Sequence, residues 1–423
     1  MRPHPISSIR SAVGAGLSAR GPRVGGLARA FILASLMGVP MCLAADTKAV
    51  DVERWIHPAF SASTLQLPGT FDQQTVVVLA DGRLMTVPPK GNATVVSSDA
   101  GRTWSEPRPI RPETAPVVPT RGPLIRTRSG VLILLFQHIT GEEARWDEVK
   151  RDWTPAFRSD LWVTRSHDDG KTWDEPQHPF AGVYGSITSA IQIRSGRVIV
   201  PVEVALQEPG RWGTYVFVSA DDGLTWTRSN LIDLGGNGHH DGAIEAAVTE
   251  LSDRRLMMLI RTSLDRFWEV YSDDHGYNWR EWRPSRLDAG AAPGYIQRLA
   301  SGRLVLVWNR LSREGAALSP KSSSSAAYYY GARGQRSELS ISYSDDDAKN
   351  WTPPVVIVRQ TKLSLSYPFV LERSPGELWI WTRYGSSPPV YLSLHEQDLV
   401  DRVKRAPPGS NPTVKTVQPN EIP

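Results

Sequence analysis

The chain has almost no cysteine: Cys42 alone in 423 residues. That excludes an intrachain disulfide framework and any site built on several thiolates. Acidic residues are missing from the first 45 positions, where five arginines (Arg2, Arg10, Arg20, Arg23, Arg29) stand unopposed. Apart from Ala30 to Ala44, no apolar run approaches the roughly 20 residues that cross a bilayer. A Gly-rich phosphate loop, a nucleophile elbow and a helical hydrophobic period are all missing. His239-His240-Asp241 has no third ligand at a sensible spacing, so neither a metal nor another cofactor is expected.

The arginine-rich lead followed by the apolar run reads as a secretory signal over residues 1–45, cut near Ala44 or Ala45. Its loss removes five positive charges and turns the formal +4 of the whole chain into −1. The basic balance then gives no reason to expect nucleic acid or anionic membrane as a partner. Cys42 leaves with the signal. About 375 residues remain, enough for a core that needs no cross-link. An exported monomer, periplasmic or extracellular, is expected.

One phrase recurs. Ser97-Ser-Asp-Ala-Gly-Arg-Thr-Trp104 returns as Ser166 to Trp173, Ser219 to Trp226 and Ser272 to Trp279, and in degraded form as Ser344 to Trp351. In this pattern Ser and Asp side chains bond nearby backbone N–H groups, Gly supplies a positive φ, and Trp buries a broad apolar face. The phrase resembles the Asp-box of sialidase-like proteins, a structural turn shared by enzymes and non-enzymes.

A second repeat interleaves with it: apolar strand, tight turn, apolar strand. The turns fall at Gly82, Gly130, Gly196, Asp253, Gly302 and Gly376, in steps of 48, 66, 57, 49 and 74 residues. Each step is the length of one four-stranded blade. Six hairpins and five boxes predict an all-β, six-bladed β-propeller over residues 46–400, with the box on the outer hairpin of each blade. The charged insertion Thr140 to Trp153 reads as a solvated loop. Gly315 to Gly334, with Tyr328 to Tyr330, reads as a surface loop or a lid. Residues 401–423 read as a Pro-rich disordered tail.

Strand ends flanking each turn should collect at one mouth. They include Arg121, Gln137, His138, Glu203, Glu245, Arg261, Arg310, Tyr367 and Arg383. Cations gathered there suit an anionic ligand. Arg158, Arg211 and Arg336 each stand eight residues before a box serine, a recurrence that also fits arginines tying blade to blade.

The whole propeller resembles the exo-sialidases. Those enzymes clamp a substrate carboxylate with three arginines, attack with a tyrosine activated by a glutamate, and protonate the leaving group with an aspartate. Asp241-Gly-Ala-Ile-Glu245 followed by Arg261 matches the family's glutamate and second arginine. Arg336 matches the third arginine, and Ser366-Tyr367-Pro368 matches the nucleophile. The resemblance implies Tyr367 as nucleophile, Glu245 as its base, and Arg261 with Arg336 as the clamp. Arg121, Arg310 or Arg383 would serve as a replacement third cation, and a terminal acidic sugar of a glycan would be the substrate.

Two family positions are empty here. Phe71-Asp72-Gln73-Gln74 stands where the first arginine belongs, and Val87 to Thr94 contains no carboxylate where the acid belongs. Asp241, His240, His138 and Glu203 are the candidates for a replacement acid, with Asp241 placed in the catalytic set and His240 among the substrate contacts. Other readings left open are a propeller of different specificity (rhamnosidase or uronate lyase), a non-catalytic glycan-binding propeller and a structural interaction propeller.

Overall fold

A computed structural model describes residues 74–88, 91–120, 122–140, 146–154, 158–314, 336–359, 364–382 and 390–405. It also describes two short N-terminal strands. These are β1 (Trp55–Ile56) and β2 (Ser61–Ala62). The leader, residues 315–335 and everything after 405 lie outside the described residues.

The chain forms six antiparallel blades. Blade one is β3 (Val76–Val78), β4 (Leu84–Thr86), β5 (Ala93–Ser97) and β6 (Arg108–Pro109). Blade two is β7 (Leu124–Arg126), β8 (Leu132–Ile139), β11 (Ser159–Ser166) and β12 (Gln177–Phe180), with a side hairpin of β9 (Trp146–Asp147) and β10 (Asp152–Trp153). Blade three is β13 (Ile191–Gln192), β14 (Val198–Leu206), β15 (Arg211–Ser219) and β16 (Thr227–Arg228). Blade four is β17 (Ile244–Glu250), β18 (Leu256–Arg261), β19 (Arg266–Ser272) and β20 (Glu281–Asp288). Blade five is β21 (Tyr295–Arg298), β22 (Leu304–Trp308), β23 (Glu338–Ser344) and β24 (Val355–Arg359), with β1 on its outer edge. Blade six is β25 (Phe369–Ser374), β26 (Glu377–Thr382) and β27 (Val390–His395). Its fourth strand is β2, which pairs Ser61 with Ser393. The N-terminal strands thus complete the last two blades and hide edges that would otherwise lie open.

The core sits between successive blades. Along β8, Ile133 and Leu135 pack with Val198, Val200 and Val202 of blade three. The alternating Leu132, Leu134 and Phe136 pack with Val77 and Met85 of blade one. A strand buried on both faces reads as a continuous apolar run, as this one does. Each such side chain contributes about 1.5–3 kcal/mol.

The boxes space the blades. In the second, Ser166 Oγ donates to Asp168 (2.9 Å) and accepts the Gly170 N–H (2.8 Å), while Asp168 accepts the Thr172 N–H and hydroxyl (2.8 and 2.6 Å). A Cβ on Gly170 would lie 2.6 Å from Met85 of blade one, and one on Gly223 would lie 2.9 Å from Ile133 of blade two. Each glycine, at φ 78° and 81°, lets its turn press on the preceding blade. In the degraded box Ala348 takes that place at φ 62°.

The box aspartates make stability acid-sensitive. The Thr103 hydroxyl is the largest cause holding Asp99 down at about 2. For Asp168, burial opposes the shift, but bonds from Thr172 and Ser166 bring it to about 2. Asp221, Asp274 and Asp346 are lowered by the same balance. A depressed folded-state pKa gives stability that is present above about pH 4 and lost as pH falls towards 2. The melting temperature should therefore be flat from neutral pH to about pH 5 and fall below pH 4. Asp168→Asn should be less stable than wild type at pH 6 and converge with it near pH 2. An acid limb that Asp168→Asn leaves unchanged would refute the assignment.

Two sequence expectations need correction. The insertion up to Trp153 is not a plain solvated loop: Asp147 pairs with Asp152 and Trp146 with Trp153 in a hairpin whose tryptophans pack inward. The boundary at 400 falls inside a helix, α1 (Glu396–Arg405). Leu399 and Val400 are buried in the blade-six core and Val403 packs on it, so the first residues assigned to the tail belong to the fold.

Candidate functional site

Two residues open their blades with unusual backbones. Glu245 stands at φ 44° and Tyr367 at φ 56°, where bulky side chains are rarely found. Register in blade four slips between Ile244 and Ala247, so β17 carries one residue more than the facing part of β18. A bulge of this kind re-aims a side chain. Tyr367 precedes Pro368, a position normally pushed to extended backbone. Strain of this order, about 1–3 kcal/mol per residue, persists only where surrounding structure imposes it, and it clusters at functional sites.

The strained pair meets. Tyr367 Oη donates to Glu245 Oε1 at 2.6 Å. Arg261, at the end of β18 opposite Ile244, donates through Nη1 to Glu245 Oε2 and, at 3.3 Å, to Tyr367 Oη. Arg261 and Glu245 are 3% and 6% exposed, so this ion pair is almost fully removed from water. Nε and Nη2 of Arg261 are buried with no hydrogen-bond partner. Burial works against the Arg261 charge, but Glu245 and Tyr367 outweigh it and hold its pKa above the ordinary value. Burial, then the Glu245 charge, holds the Tyr367 phenol well above its usual range. The phenol is therefore neutral, and its proton is directed at Glu245.

Tyr367, Glu245 and Arg261 form one wall of a cavity of about 290 Å³. Glu203, Trp212 and His240 line it as well. This volume is at the bottom of the range of about 300–1,000 Å³ that holds small ligands, and it suits one sugar ring. A second space, beside Gln74, Tyr295 and Tyr367, measures only about 10 Å³. That is scarcely room for one water. The larger cavity is lined from blades two, three and four and by Tyr367 of blade six.

Glu203, near the end of β14, is 5% exposed, and its Oε2 accepts the Ser186 N–H at 3.0 Å. Gly185 makes room for it, since a Cβ there would stand 2.9 Å from Glu203 Oε2 and from the Trp212 ring. Burial, then the charge of Glu245, pushes the Glu203 carboxyl up to about 8. For His240, burial and then Arg261 press the imidazole down to about 3, so it is uncharged at neutral pH. His240 lines the cavity, but as a neutral contact and not as a cation or a protonated acid.

The other expected site residues separate from this group. Asp241 is no part of the cavity wall: its carboxylate accepts Ser263 Oγ (2.9 Å) and the Asn237 N–H (3.2 Å), and so ties loops together. Arg310 faces Asp288 at 3.7 Å, away from the cavity, and does not supply a third cation. His138 lies edge-on to Trp162 outside the wall. Arg336 is 3% exposed, donates to the Ala291 carbonyl and stands 5.8 Å over the Tyr367 ring. Its charge also acts on His240 of the cavity. Arg158 and Arg211 pair with Asp160 and Asp233 within their blades, as the recurrent register allowed. Arg121 and Arg383 lie outside the described residues.

Sequence reasoning missed the aromatic side of the site. Trp146 stacks on His239 (5.6 Å between centroids, 22° between planes), and Trp153 packs at 4.5 Å on Trp212. The hairpin thus reaches across from blade two to blade three. Two tryptophans bracketing the charged insertion were the available signal. Among the described residues no group of three metal-ligating side chains occurs.

Residues 133–380, more than half of the chain, match the family model described as a BNR repeat-like domain. No curated protein sequence matches the chain. Among solved structures, a Dyadobacter fermentans protein of unknown function is similar at TM-score 0.54 and 18% identity, over 79% of this chain and 98% of that one. The NanB sialidase of Streptococcus pneumoniae is similar at 0.50 and 15%, over 80% and 70%. A leech intramolecular trans-sialidase is similar at 0.51 and 13%, over 81% and 71%. At these identities the likeness is one of fold. With its six blades, its boxes and a family match over most of the propeller, the chain belongs to the BNR repeat-like domain family, and its fold is like that of the solved sialidases.

Proposed function

We infer that the protein is a retaining exo-glycosidase that removes a terminal acidic sugar from exported or extracellular glycans, with Tyr367 as nucleophile and Glu245 as its base. The observation that carries the reading is the Tyr367–Glu245 hydrogen bond of 2.6 Å, made by two backbone-strained residues on the wall of a cavity fit for one sugar. A phenol kept neutral by burial approaches an anionic sugar without the repulsion a carboxylate nucleophile would meet. Arg261, with two buried N–H groups still unpaired, is the cation for the substrate's carboxylate. Export rests on the N-terminal leader of the sequence.

The test is a screen of the purified protein against aryl glycosides and natural glycans, with sialosides and uronides included. Release of an acidic monosaccharide with retained anomeric configuration is expected. Firm binding of an acidic sugar without turnover would move the assignment to a glycan-binding propeller.

A further inference from the structure

The catalytic reading leaves the leaving-group oxygen without a proton donor. No carboxylate occurs between Val87 and Thr94, Asp241 is committed to Ser263 and Asn237, and His240 is neutral. Resting on the reading above, we propose that Glu203, presented from blade three into the cavity that Tyr367 also lines, is the general acid of this site.

Three independent features of its placement support this. Glu203 faces the same cavity as Tyr367, Glu245 and Arg261, so one sugar can touch all four. The Ser186 N–H fixes one carboxyl oxygen, and the absence of a side chain at Gly185 leaves space for the group to stand in that orientation. Among the described residues no ion pair engages Glu203, whereas Glu245 is bound to Arg261. The titratable and charged groups facing it are Glu245, Arg261, Tyr367, Tyr184, His239 and His240. Two carboxyls in one cavity thus stand in opposite environments. Glu245 has a guanidinium partner, while burial and Glu245's own charge keep Glu203 protonated up to about pH 8. A pair pushed apart in this way divides into a base and an acid.

In the first step the Glu203 proton passes to the glycosidic oxygen as the bond from the anomeric carbon to that oxygen breaks. Tyr367 Oη bonds to the anomeric carbon and gives its own proton to Glu245. In the second step the Glu203 carboxylate takes a proton from water, whose oxygen bonds to the anomeric carbon. The Tyr367–carbon bond breaks, and Glu245 returns the proton to Tyr367. Protons and electron pairs balance over the cycle, and both carboxyls end as they began.

The test is Glu203→Gln compared with wild type on two glycosides of the same sugar, one with an activated phenol and one with a natural sugar as leaving group. Proton donation is worth about 10²–10⁴ in rate where the leaving group needs it. Turnover of the natural glycoside should fall by about that factor, while release of the activated phenol in the first turnover should change by less than about tenfold. The basic limb of kcat/KM near pH 8 should disappear in Glu203→Gln. Equal losses on both substrates, with the wild-type pH profile intact, would overturn the proposal and leave Glu203 a structural residue. If Glu203→Gln does not fold, Glu203→Asp, which draws the carboxyl back by one methylene, must show the same split between leaving groups. A folded wild type inactive on every glycoside overturns the glycosidase reading itself, and the acid assignment with it. An active wild type with no leaving-group split in the variant overturns the acid assignment alone.

Discussion

Tyr367→Phe is expected to lower turnover by about 10³-fold or more, with little change in melting temperature. The substitution deletes one oxygen, the atom that bonds to Glu245 at 2.6 Å and is neighbour to Arg261 at 3.3 Å. Losing one hydrogen bond changes stability by about 0.5–1.5 kcal/mol, whereas losing the nucleophile removes the covalent route altogether. Glu245→Gln should be nearly as inactive but much less stable. It leaves the Arg261 charge buried without its counter-ion, and breaking a buried pair in this way costs about 3–5 kcal/mol. The double variant should be hardly slower than Tyr367→Phe alone, because the two groups act as one unit. Steady-state kinetics and thermal unfolding of the three variants check this. A Tyr367→Phe enzyme within tenfold of wild type would end the tyrosine mechanism.

Gly242→Ala should destabilise the protein by about 3 kcal/mol or more and disorganise the site with it. Gly242 has φ 100°, and a Cβ there would lie 2.0 Å from the Trp212 carbonyl oxygen. That oxygen also accepts the Ala243 N–H at 2.9 Å, and the Trp212 N–H donates to Asp241 O at 2.9 Å. Relieving the clash therefore means parting the strand that carries Trp212 from the loop that carries His239 and His240 and leads into Glu245 of β17. Gly302→Ala is the control, because its φ of 89° is similar but nothing lies within 4 Å of the added Cβ. It should show the backbone penalty alone, about 1–2 kcal/mol. Equal losses in the two variants, measured by denaturant unfolding, would show that the close approach at Trp212 is not what Gly242 serves.

The blades were legible in the sequence because every signal that defines them is local. Ser166, Asp168, Gly170 and Thr172 lie within one turn, and their hydrogen bonds need nothing from elsewhere in the chain. The alternation along Leu132 to Phe136 likewise states that both faces are buried. The order Glu245, Arg261, Tyr367 survived as geometry because each stands at a strand end of a regular repeat. Helix α1 has its apolar Leu399, Val400 and Val403 at helical spacing and acidic residues in its first turn, but ten residues are too few for a stable helix alone, so packing on blade six is what holds it.

Which strand-end residues share a cavity was settled by tertiary structure alone. Asp241 and Glu203 looked alike as carboxylates near a mouth, yet Asp241 bonds Ser263 and Asn237 while Glu203 enters the cavity. Beyond the local Asn237, the difference comes from Ser263 and Ser186, 22 and 17 residues away, and from room left at Gly185, none of which spacing reveals. The same holds for the positive φ of Glu245 and Tyr367, which is imposed by a bulge and by packing between blades. It holds also for the acidity of Glu203, set by burial and by a charge 42 positions along the chain. The sequence by itself determined a six-bladed propeller and the residues at its strand ends. Only the folded ring decided which of those ends face one another, because a side chain's neighbours across blades are fixed by closure and packing, not by spacing.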